Sequence, residues 1–469
     1  MMPFAIGLLP AATGFFLVRA LSGGGSSLRC CRHDLFRLVL GTGIGIGLAS
    51  ECFFLGLVTG SSELLLEIVL LLTVGTAAVL NRKKKCRFCE TRAGGDTLLN
   101  RWLASTFAFL LFLDFAVFVW VSVRTPRGGW DAWAIWNLRA HFLYRNGGVA
   151  WRDAFAEVLD WSHPDYPLLL PAFVARGWRL LGRESSAVPI VLAGFFTFGC
   201  VGLMTASLTI LRGARQGLLA GLALAATPWL YVQGAMQCAD IPVAFFGLAT
   251  FATMAMADRF NSRGLAVLAG VTAALGGWAK NEGLLWFGAF LVARMIAARG
   301  SLLPAFMAGA VPVLAPVVFF KTRVATSSDI FGAAGRAGMM TRVLDPARYI
   351  LIAREAFVHA WNFGPLPISA FALLIVYAAV AGLRLRQNRD RAILRTGVIA
   401  LAFTTMGYFA IYLLHPNDLA WELVNSADRL LLQMWPGIVF VIFLATRSSG
   451  HGSARPLRGS GGEDRCGIC

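Results

Sequence analysis

Residues 98–137, LLNRWLASTFAFLLFLDFAVFVWVSVRTPRGGWDAWAIWN, contain the two features that decide how this chain is built. The segment 98–123 is largely apolar and longer than the ~20 residues that a helix needs to cross a bilayer. The segment 128–137, GGWDAWAIWN, is a polar loop rich in tryptophan. A membrane span that leads directly into such a loop places carboxylate and aromatic side chains just outside the bilayer.

The composition of the whole chain is that of a membrane protein. Hydrophobic residues make up 57% of its 469 residues and charged residues only 14%, and the mean hydropathy is +0.66. Soluble domains are roughly half apolar and about one quarter charged. The net charge of +17 is carried mainly by Lys and Arg in short runs between apolar segments. Because this is the pattern of membrane topology signals, we expect no nucleic-acid partner.

Thirteen apolar runs are long enough to cross a bilayer, or nearly so. They lie at 3–21, 35–58, 64–80, 98–123, 186–211, 217–233, 241–257, 264–278, 284–297, 302–320, 366–383, 396–414 and 430–446. Several are shorter than ~20 residues, so the number of spans is approximate. We predict an all-α fold, a polytopic membrane helical bundle of about 13 transmembrane helices.

The basic residues between these runs predict the orientation of the helices. Lys and Arg are concentrated in alternate connections, most densely at 82–92 and 384–395, and are rare in the short connections between them. By the positive-inside rule the basic connections are cytoplasmic. The N-terminus and two long outer loops, 124–185 and 321–365, are then extracytoplasmic. We predict a multi-pass protein of the cell inner (plasma) membrane.

Three regions follow from this pattern. Residues 1–97 are N-terminal transmembrane helices with a basic cytoplasmic loop, residues 98–446 are a membrane core, and residues 447–469 are a cytoplasmic tail. The tail is rich in Gly, Ser and Arg, a composition that is typical of disorder.

The basic loop and the tail each contain a Cys-x-x-Cys pair. These pairs are Cys86 with Cys89 and Cys466 with Cys469. Four thiolates on one side of the membrane match a structural zinc site. The alternative is that all four are ordinary reduced thiols of the cytosol.

Four polar clusters fall on the predicted outer face. One is the loop with Asp131 and Asp165, and the second contains Asp240 at the start of an apolar run. The third is Lys-Asn-Glu-Gly at 280–283, and the fourth runs from 415 to 429. The connection at 280–283 is so short that Lys280 and Glu282 must lie at the membrane surface, where charges are costly unless paired or used. The alternative is that any outer loop is polar.

The first outer loop has the periodicity of a helix. Four residues recur at helical spacing, Trp133, Trp136, Ala140 and Leu143. We predict an amphipathic interfacial helix whose Trp residues anchor it at the headgroups, with stacking against a sugar as the alternative role. Asp131 lies at the expected start of this helix, where it is either a helix cap or a functional carboxylate.

The motifs resemble one family as an ensemble. The segments WDAWAIW at 130–136 and HPDYPLL at 163–169 resemble the first outer loop of glycosyltransferase-C membrane enzymes. That group includes the aminoarabinose lipid A transferase, the protein O-mannosyltransferases and the rhizobial core galacturonosyltransferases. Further short motifs at 239–242, 280–283 and 428–436 are similar to the same pattern. The resemblance covers residues 98 to 446.

The resemblance implies a function and a site. In that family a sugar leaves a polyprenyl-phosphate donor, with inversion, on the outer side of the membrane, and the acceptor here is a lipid, a glycan or a protein. It implies that Asp131 is the general base. Cations that hold the departing phosphate would stabilise the transition state. The residues expected to bind the phosphate are His163, Arg139, Lys280 and Arg429. The other expected substrate-binding residues are Asp165, Asp240 and Glu282.

One departure and two alternatives accompany this expectation. Ala132 stands where the family commonly has a second acidic residue, so a role for Asp165 or for a divalent cation is left open, and no cofactor is assigned. The first alternative is a transporter or flippase of a lipid-linked substrate. Such a protein is expected to have charged residues near the membrane midplane, and Asp114, Glu51 and Glu67 are candidates. The second is a catalytically inactive protein that keeps the fold.

Overall fold

The computed structural model describes residues 6–22, 31–80, 97–145, 150–298, 300, 302–325, 338–364, 369–383 and 388–447. Within these ranges the chain is helical and contains no β-strand. The extended pairing among them is an isolated antiparallel bridge between Leu383 and Thr446. The predicted all-α class is confirmed for this part of the chain. The four cysteines of the predicted zinc site and most of the predicted tail lie outside it.

The α-helices are numbered here in chain order. They are α1 (Leu8–Ser22), α2 (Cys31–Thr59), α3 (Glu63–Leu80), α4 (Thr97–Arg124), α5 (Asn137–Arg145), α6 (Leu169–Leu181), α7 (Ala187–Arg212), α8 (Ala214–Ala225), α9 (Pro228–Ala235), α10 (Asp240–Phe260), α11 (Arg263–Ala279), α12 (Asn281–Ala298), α13 (Leu303–Arg323), α14 (Met339–Val343), α15 (Pro346–Trp361), α16 (Ala370–Ala381), α17 (Asn388–Leu414) and α18 (Leu419–Ala445). A π-helical turn, Ala132–Trp136, and two 3₁₀ turns, Ala150–Phe155 and Glu157–Ser162, lie in the first predicted outer loop.

Many of these helices have the length and hydropathy of membrane spans. In the described residues nine helices qualify, namely α2, α3, α4, α7, α10, α12, α13, α17 and α18. The pair α8 and α9 qualifies as one further span that is bent by 60°. The three remaining predicted runs correspond to the shorter apolar helices α1, α11 and α16. The chain is a multi-pass membrane protein, and the number of 13 spans stays a prediction.

Helix α10 lies at the centre of the bundle and is buried along almost its whole length. It packs against α7, α11 and α18. Helix α11 also packs against α13, so closely that a Cβ at Gly270 would lie 1.9 Å from the Phe306 carbonyl oxygen. A Cβ at Gly309 would lie 2.0 Å from the Val267 carbonyl oxygen. Small residues at such crossings let backbones approach, which is how helices associate where lipid gives no hydrophobic driving force.

The two termini of α10 mark two ends of the bundle. At the Asp258 end, Arg294 donates to Asp258 at 2.6 and 3.0 Å, and Arg212 donates to the carbonyl of Thr446 at 3.2 Å. The Asp240 end gathers Asp240 and the polar clusters described below. Residues that the charge pattern predicts to be cytoplasmic and extracytoplasmic are therefore separated, one group at each end of α10.

The three N-terminal helices are attached to the loop 124–185, which the charge pattern predicts to be an outer loop. Arg176 of α6 binds the buried Glu67 of α3 with two hydrogen bonds, one of them 2.6 Å between Nη2 and Oε2. The same guanidinium donates to the carbonyl of Ile6 at 3.1 Å. One turn away, Arg179 donates to Glu63 at 3.3 Å. The N-terminal region thus holds α6, and with it the loop that contains Asp131.

The predicted interfacial helix differs from its expected form. Trp136, Ala140 and Leu143 are buried inside the protein, while Trp133 is half exposed beside Trp130, with ring centroids 5.8 Å apart. The cause is the π-helical turn, in which the amide of Asn137 donates to the carbonyl of Ala132. Its wider turn moves Trp133 off the face of the other three. That face is a packing surface, and whether this loop contacts a membrane stays a prediction.

The buried pair of Glu67 and Arg176 gives a prediction about stability. Arg176→Ala leaves a buried carboxylate without its partner, a change that costs about 3–5 kcal/mol. The variant should therefore unfold at a clearly lower temperature in detergent micelles. Arg145→Ala breaks a largely exposed pair with Glu184 and should change the midpoint little. An unchanged midpoint in Arg176→Ala would contradict the bracing role of this pair.

Candidate functional site

Asp240 is the carboxylate on which the cluster at this end of the bundle is centred. It is the first residue of α10 and is buried. Its Oδ2 accepts hydrogen bonds from Arg429 Nε at 2.9 Å and Nη2 at 2.8 Å. Its Oδ1 accepts from Lys280 Nζ at 3.1 Å and from Gln433 Nε2 at 2.6 Å. A helix N-terminus also favours an anion, so this buried charge is stabilised from several sides.

Lys280 lies in the connection between α11 and α12, as the short spacing predicts. Its Nζ is 3.1 Å from Asp240 Oδ1 and 2.6 Å from Glu282 Oε1. Burial alone would lower the pKa of Lys280, but the charges of Asp240 and Glu282 outweigh burial and hold that pKa well above its ordinary value. The backbones of α11 and α12 lie close together at this connection, since a Cβ at Gly283 would lie only 1.8 Å from the Gly276 carbonyl oxygen. Lys280 is therefore a fixed, charged group.

Asp131 is joined to this cluster through Arg429. The Arg429 Nη2 is 2.6 Å from Asp131 Oδ2, and the two side chains are 21% and 23% exposed. Asp131 stands before the π-helical turn, yet its side chain makes no capping hydrogen bond. Of the two roles that the sequence leaves open, the helix cap is therefore not observed. The carboxylate is partly accessible and points to the ion-pair cluster.

Backbone contacts hold the Asp131 segment against the start of α10. The amide of Gly129 donates to the carbonyl of Met236 at 3.0 Å. Asn137 Nδ2 donates to Gln237 Oε1 at 3.1 Å. Gly128 has φ 75°, and a Cβ there would lie 2.6 Å from the Met236 carbonyl oxygen. Glycine is required at this position because both the backbone conformation and the space exclude a side chain.

The segment His163–Pro164–Asp165–Tyr166 forms a rigid corner beside Lys280. His163 has φ 53°, and the amide of Tyr166 donates to its carbonyl at 3.0 Å. The rings of His163 and Tyr166 are stacked with centroids 4.9 Å apart, and Tyr166 is stacked on Trp136 at 5.5 Å. The Lys280 Nζ lies 5.7 Å from the centre of the Tyr166 ring. His163 thus contributes to the wall of the site through Tyr166.

Asp165 is held by two residues from other elements. Its Oδ2 accepts from Asn281 Nδ2 at 2.8 Å and from Lys321 Nζ at 3.3 Å. Lys321 also donates to the Asp165 carbonyl and to Asn281 Oδ1, the latter at 2.5 Å. Since Asn281 directly follows Lys280, these bonds connect the Asp165 corner to the Asp240 cluster. The far end of α13 is tied to the site by the same lysine.

Arg139 is a buried cation with unused donors. Its side chain is 1% exposed, and Nη2 donates to the Ser162 carbonyl at 2.5 Å. Its Nε and Nη1 have no hydrogen-bond partner. Burial lowers the pKa of Arg139 to about 10, an effect that the charge of Asp165 partly offsets. An unpaired buried donor is costly, so this guanidinium is suited to receive an acceptor that the protein does not supply.

All eight residues named from the sequence are brought to one place. Asp131, Asp240, Lys280, Glu282 and Arg429 form a continuous chain of ion pairs. The other three, Asp165, His163 and Arg139, border it as described above. Within this series of ion pairs one buried atom, Glu282 Oε2, has no hydrogen-bond partner. The site therefore combines paired charges with a small number of open positions.

Four residues that were not predicted as site residues complete the site, namely Lys321, Asn281, Gln433 and Tyr408. Lys321 and Asn281 fasten Asp165, and Gln433 links Asp240 to Tyr408, whose hydroxyl donates to Gln433 Oε1 at 2.7 Å. Gln433 and Asn281 lie inside the motifs that carry the family resemblance. A lysine in the last turn of a span was the available signal for Lys321, because such a charge is expensive near lipid.

The carboxylates of the site are paired with cations and are not grouped as metal ligands. Within the part of the chain that the structure describes, no group of three or more His, Cys, Asp and Glu residues is arranged to hold a metal ion. The carboxylates of Asp131 and Asp240 face the guanidinium of Arg429 instead of each other.

Comparisons with known proteins give no match. No protein-family model, no curated protein and no solved structure is significantly similar to this chain.

The central place of Asp240 is tested by removing its charge. Asp240→Ala leaves Lys280 and Arg429 close together without their shared anion, and breaking a buried pair in this way costs about 3–5 kcal/mol. The thermal midpoint in detergent should fall well below that of Asp153→Ala, which changes an exposed residue of the first loop. Equal midpoints for the two variants would show that the cluster does not depend on Asp240.

Proposed function

We propose that this chain is an integral-membrane glycosyltransferase that moves a hexosyl or pentosyl group from a polyprenyl-phosphate donor to a lipid, glycan or protein acceptor. The observation that carries the proposal is the 2.6 Å contact between Asp131 and Arg429. These two residues come from the first and last of the motifs that resemble glycosyltransferase-C enzymes, far apart in the chain. Chance similarity of short motifs gives no reason for them to meet.

The proposed location is the extracytoplasmic face of the inner membrane. The Asp258 end of the bundle holds Arg212 and Arg294, which belong to the connections rich in basic residues. Under the positive-inside rule that end faces the cytoplasm. The Asp240 end then faces outward, where a donor carried on a membrane lipid and an acceptor of the cell envelope would both be available.

Asp131 is assigned the role of general base. In the proposed step the acceptor oxygen forms a bond to the anomeric carbon while its proton passes to the Asp131 carboxylate. The bond between that carbon and the phosphate oxygen breaks, the polyprenyl phosphate departs, and the configuration is inverted. The partial exposure of Asp131 supports this role because an acceptor hydroxyl must reach it.

Arg429 connects donor binding to the activity of the base. In the structure one oxygen of the Asp131 carboxylate is occupied by the Arg429 guanidinium. A donor phosphate that replaces Asp131 as partner of Arg429 would release the base when the donor is in place. Arg139 has two unused donors for the same phosphate, and Lys280 adds a permanent positive charge. Cations aimed at an oxygen that gains charge lower the barrier to its departure.

A transporter or flippase of a lipid-linked substrate is the second candidate, and one observation favours it. The span formed by α8 and α9 is bent by 60°, and Tyr231 of α9 neighbours Asp114 inside the span α4. Broken helices beside a membrane-embedded carboxylate are typical of transporters. The transferase is preferred because the connected ion pairs of the site gather at the helix termini, away from Asp114.

Asp131→Asn tests the transferase. Removing a general base should lower the rate of sugar transfer by ~10²-fold or more. Donor binding should be kept or strengthened, because Arg429 loses the carboxylate that competes with the donor phosphate, and the thermal midpoint should change little. The measurement incubates purified protein with labelled polyprenyl-phosphate sugars and cell-envelope acceptors and identifies the product. Asp153→Asn, an exposed change in the same loop, is the matched control and should keep full activity.

The outcomes separate the candidates. Full transfer by Asp131→Asn would remove Asp131 as the base. Absence of transfer by the wild type with every donor, together with lipid translocation that is lost in Asp114→Asn, would replace the transferase by the transporter.

A further inference from the structure

The segment between α13 and α16 contains a helix at the edge of the membrane. Helix α15 begins after Asp345, whose Oδ1 accepts from the amide of Ala347 at 3.0 Å. Arg348 donates to the carbonyl oxygens of Tyr412 at 2.8 Å and His415 at 3.0 Å. These carbonyls stand where the span of α17 ends. Helix α15 therefore lies at the depth of a bilayer boundary, at the Asp240 end of the bundle.

Helix α15 buries Ile352 in an apolar cluster with α17 and α18 but leaves most of its large apolar side chains exposed. The side that faces α17 and α18 contains Arg348, Glu355 and His359, each partly or largely covered by the protein. The opposite side presents apolar residues with large exposed fractions: Ile350 70%, Phe357 68% and Trp361 59%. A helix between protein and water buries its apolar stripe and exposes its charges. The outward face of α15 therefore needs apolar surroundings.

We propose that α15 is an interfacial helix whose Ile350, Phe357 and Trp361 are immersed in the lipid leaflet at the Asp240 end. Its 16 residues are too few to cross a bilayer, so it lies along the surface. Trp361 at the end of the helix is of a residue type that is enriched at headgroup level. Arg354, whose side chain is 72% exposed, is long enough to extend its charge to lipid phosphates. The partner is thus membrane lipid.

The apolar surface continues beyond α15, which favours lipid over a second protein chain as the occupant. The preceding short helix and the residue after it expose Met340 at 69% and Leu344 at 70%. On the neighbouring span α18, Val424 is 68% exposed. A leaflet covers surfaces on several helices at one depth without requiring a complementary shape.

Helix α15 is also attached to the site. His359 Nδ1 lies 2.8 Å from Asp428 Oδ1, and Asp428 directly precedes Arg429. The immersed helix is thereby joined, one residue away, to the guanidinium that contacts Asp131.

The inference is tested by photocrosslinking, without reference to catalysis. The full chain carries p-benzoylphenylalanine in place of Phe357 or, as the matched control, in place of the buried Ile352, and is reconstituted in phosphatidylethanolamine–phosphatidylglycerol vesicles. Illumination should give lipid adducts at 357 and adducts within the chain at 352. Adducts between two copies of the chain at 357, or an absence of lipid adducts there, would overturn the proposal.

A second measurement needs only single conservative changes. Lipids brominated on the upper part of the acyl chain should quench part of the tryptophan fluorescence of the wild type. The quenched fraction should fall in Trp361→Phe and should not fall in Trp151→Phe, since Trp151 is buried. An unchanged fraction in Trp361→Phe would place this residue outside the lipid and would contradict the immersion of α15.

Discussion

The ion-pair cluster around Asp240 is the interaction on which the rest of this end of the molecule depends. Taking two opposite charges out of water costs several kcal/mol per ion, and only close geometry with further hydrogen bonds offsets that cost. Asp240 satisfies the condition by accepting from Arg429, Lys280 and Gln433 at once. These partners come from α18 and from the connection between α11 and α12, so one carboxylate fixes the relative positions of three elements.

The contacts among Asp131, Asp240, Lys280 and Arg429 are found in the structure. The sequence predicts only that these residues share one side of the membrane, because alternating basic connections assign loops to a side without knowledge of helix packing. The sequence did not predict which side chains pair with one another. The position of Trp133 depends on a π-helical turn that hydrophobic periodicity does not signal. Whether the shorter apolar helices α1, α11 and α16 cross the membrane stays a prediction, since hydropathy alone does not distinguish a crossing helix from one surrounded by protein.

The N-terminal helices, which have no counterpart in the family resemblance, gain a role from the pair of Glu67 and Arg176. A loop with several Trp residues and few regular hydrogen bonds has little stability of its own. Helix α6 is the most regular part of that loop, and α3 holds it by a buried ion pair. The accuracy with which Asp131 is presented to Arg429 therefore depends partly on residues well before the site.

The close crossing of α11 and α13 has a mechanical consequence. Gly270 and Gly309 bring the two backbones into direct contact. Both helices run from there to the Asp240 end, where Lys280 follows α11 and Lys321 lies in the last turn of α13. Two helices in backbone contact have no compressible layer of side chains between them, so we expect them to tilt together as one rigid unit. The distance between the two ammonium groups is thus set by a helix crossing deep in the bundle. A larger residue at either glycine would change the distance between these two charges, although both lie far from the substitution.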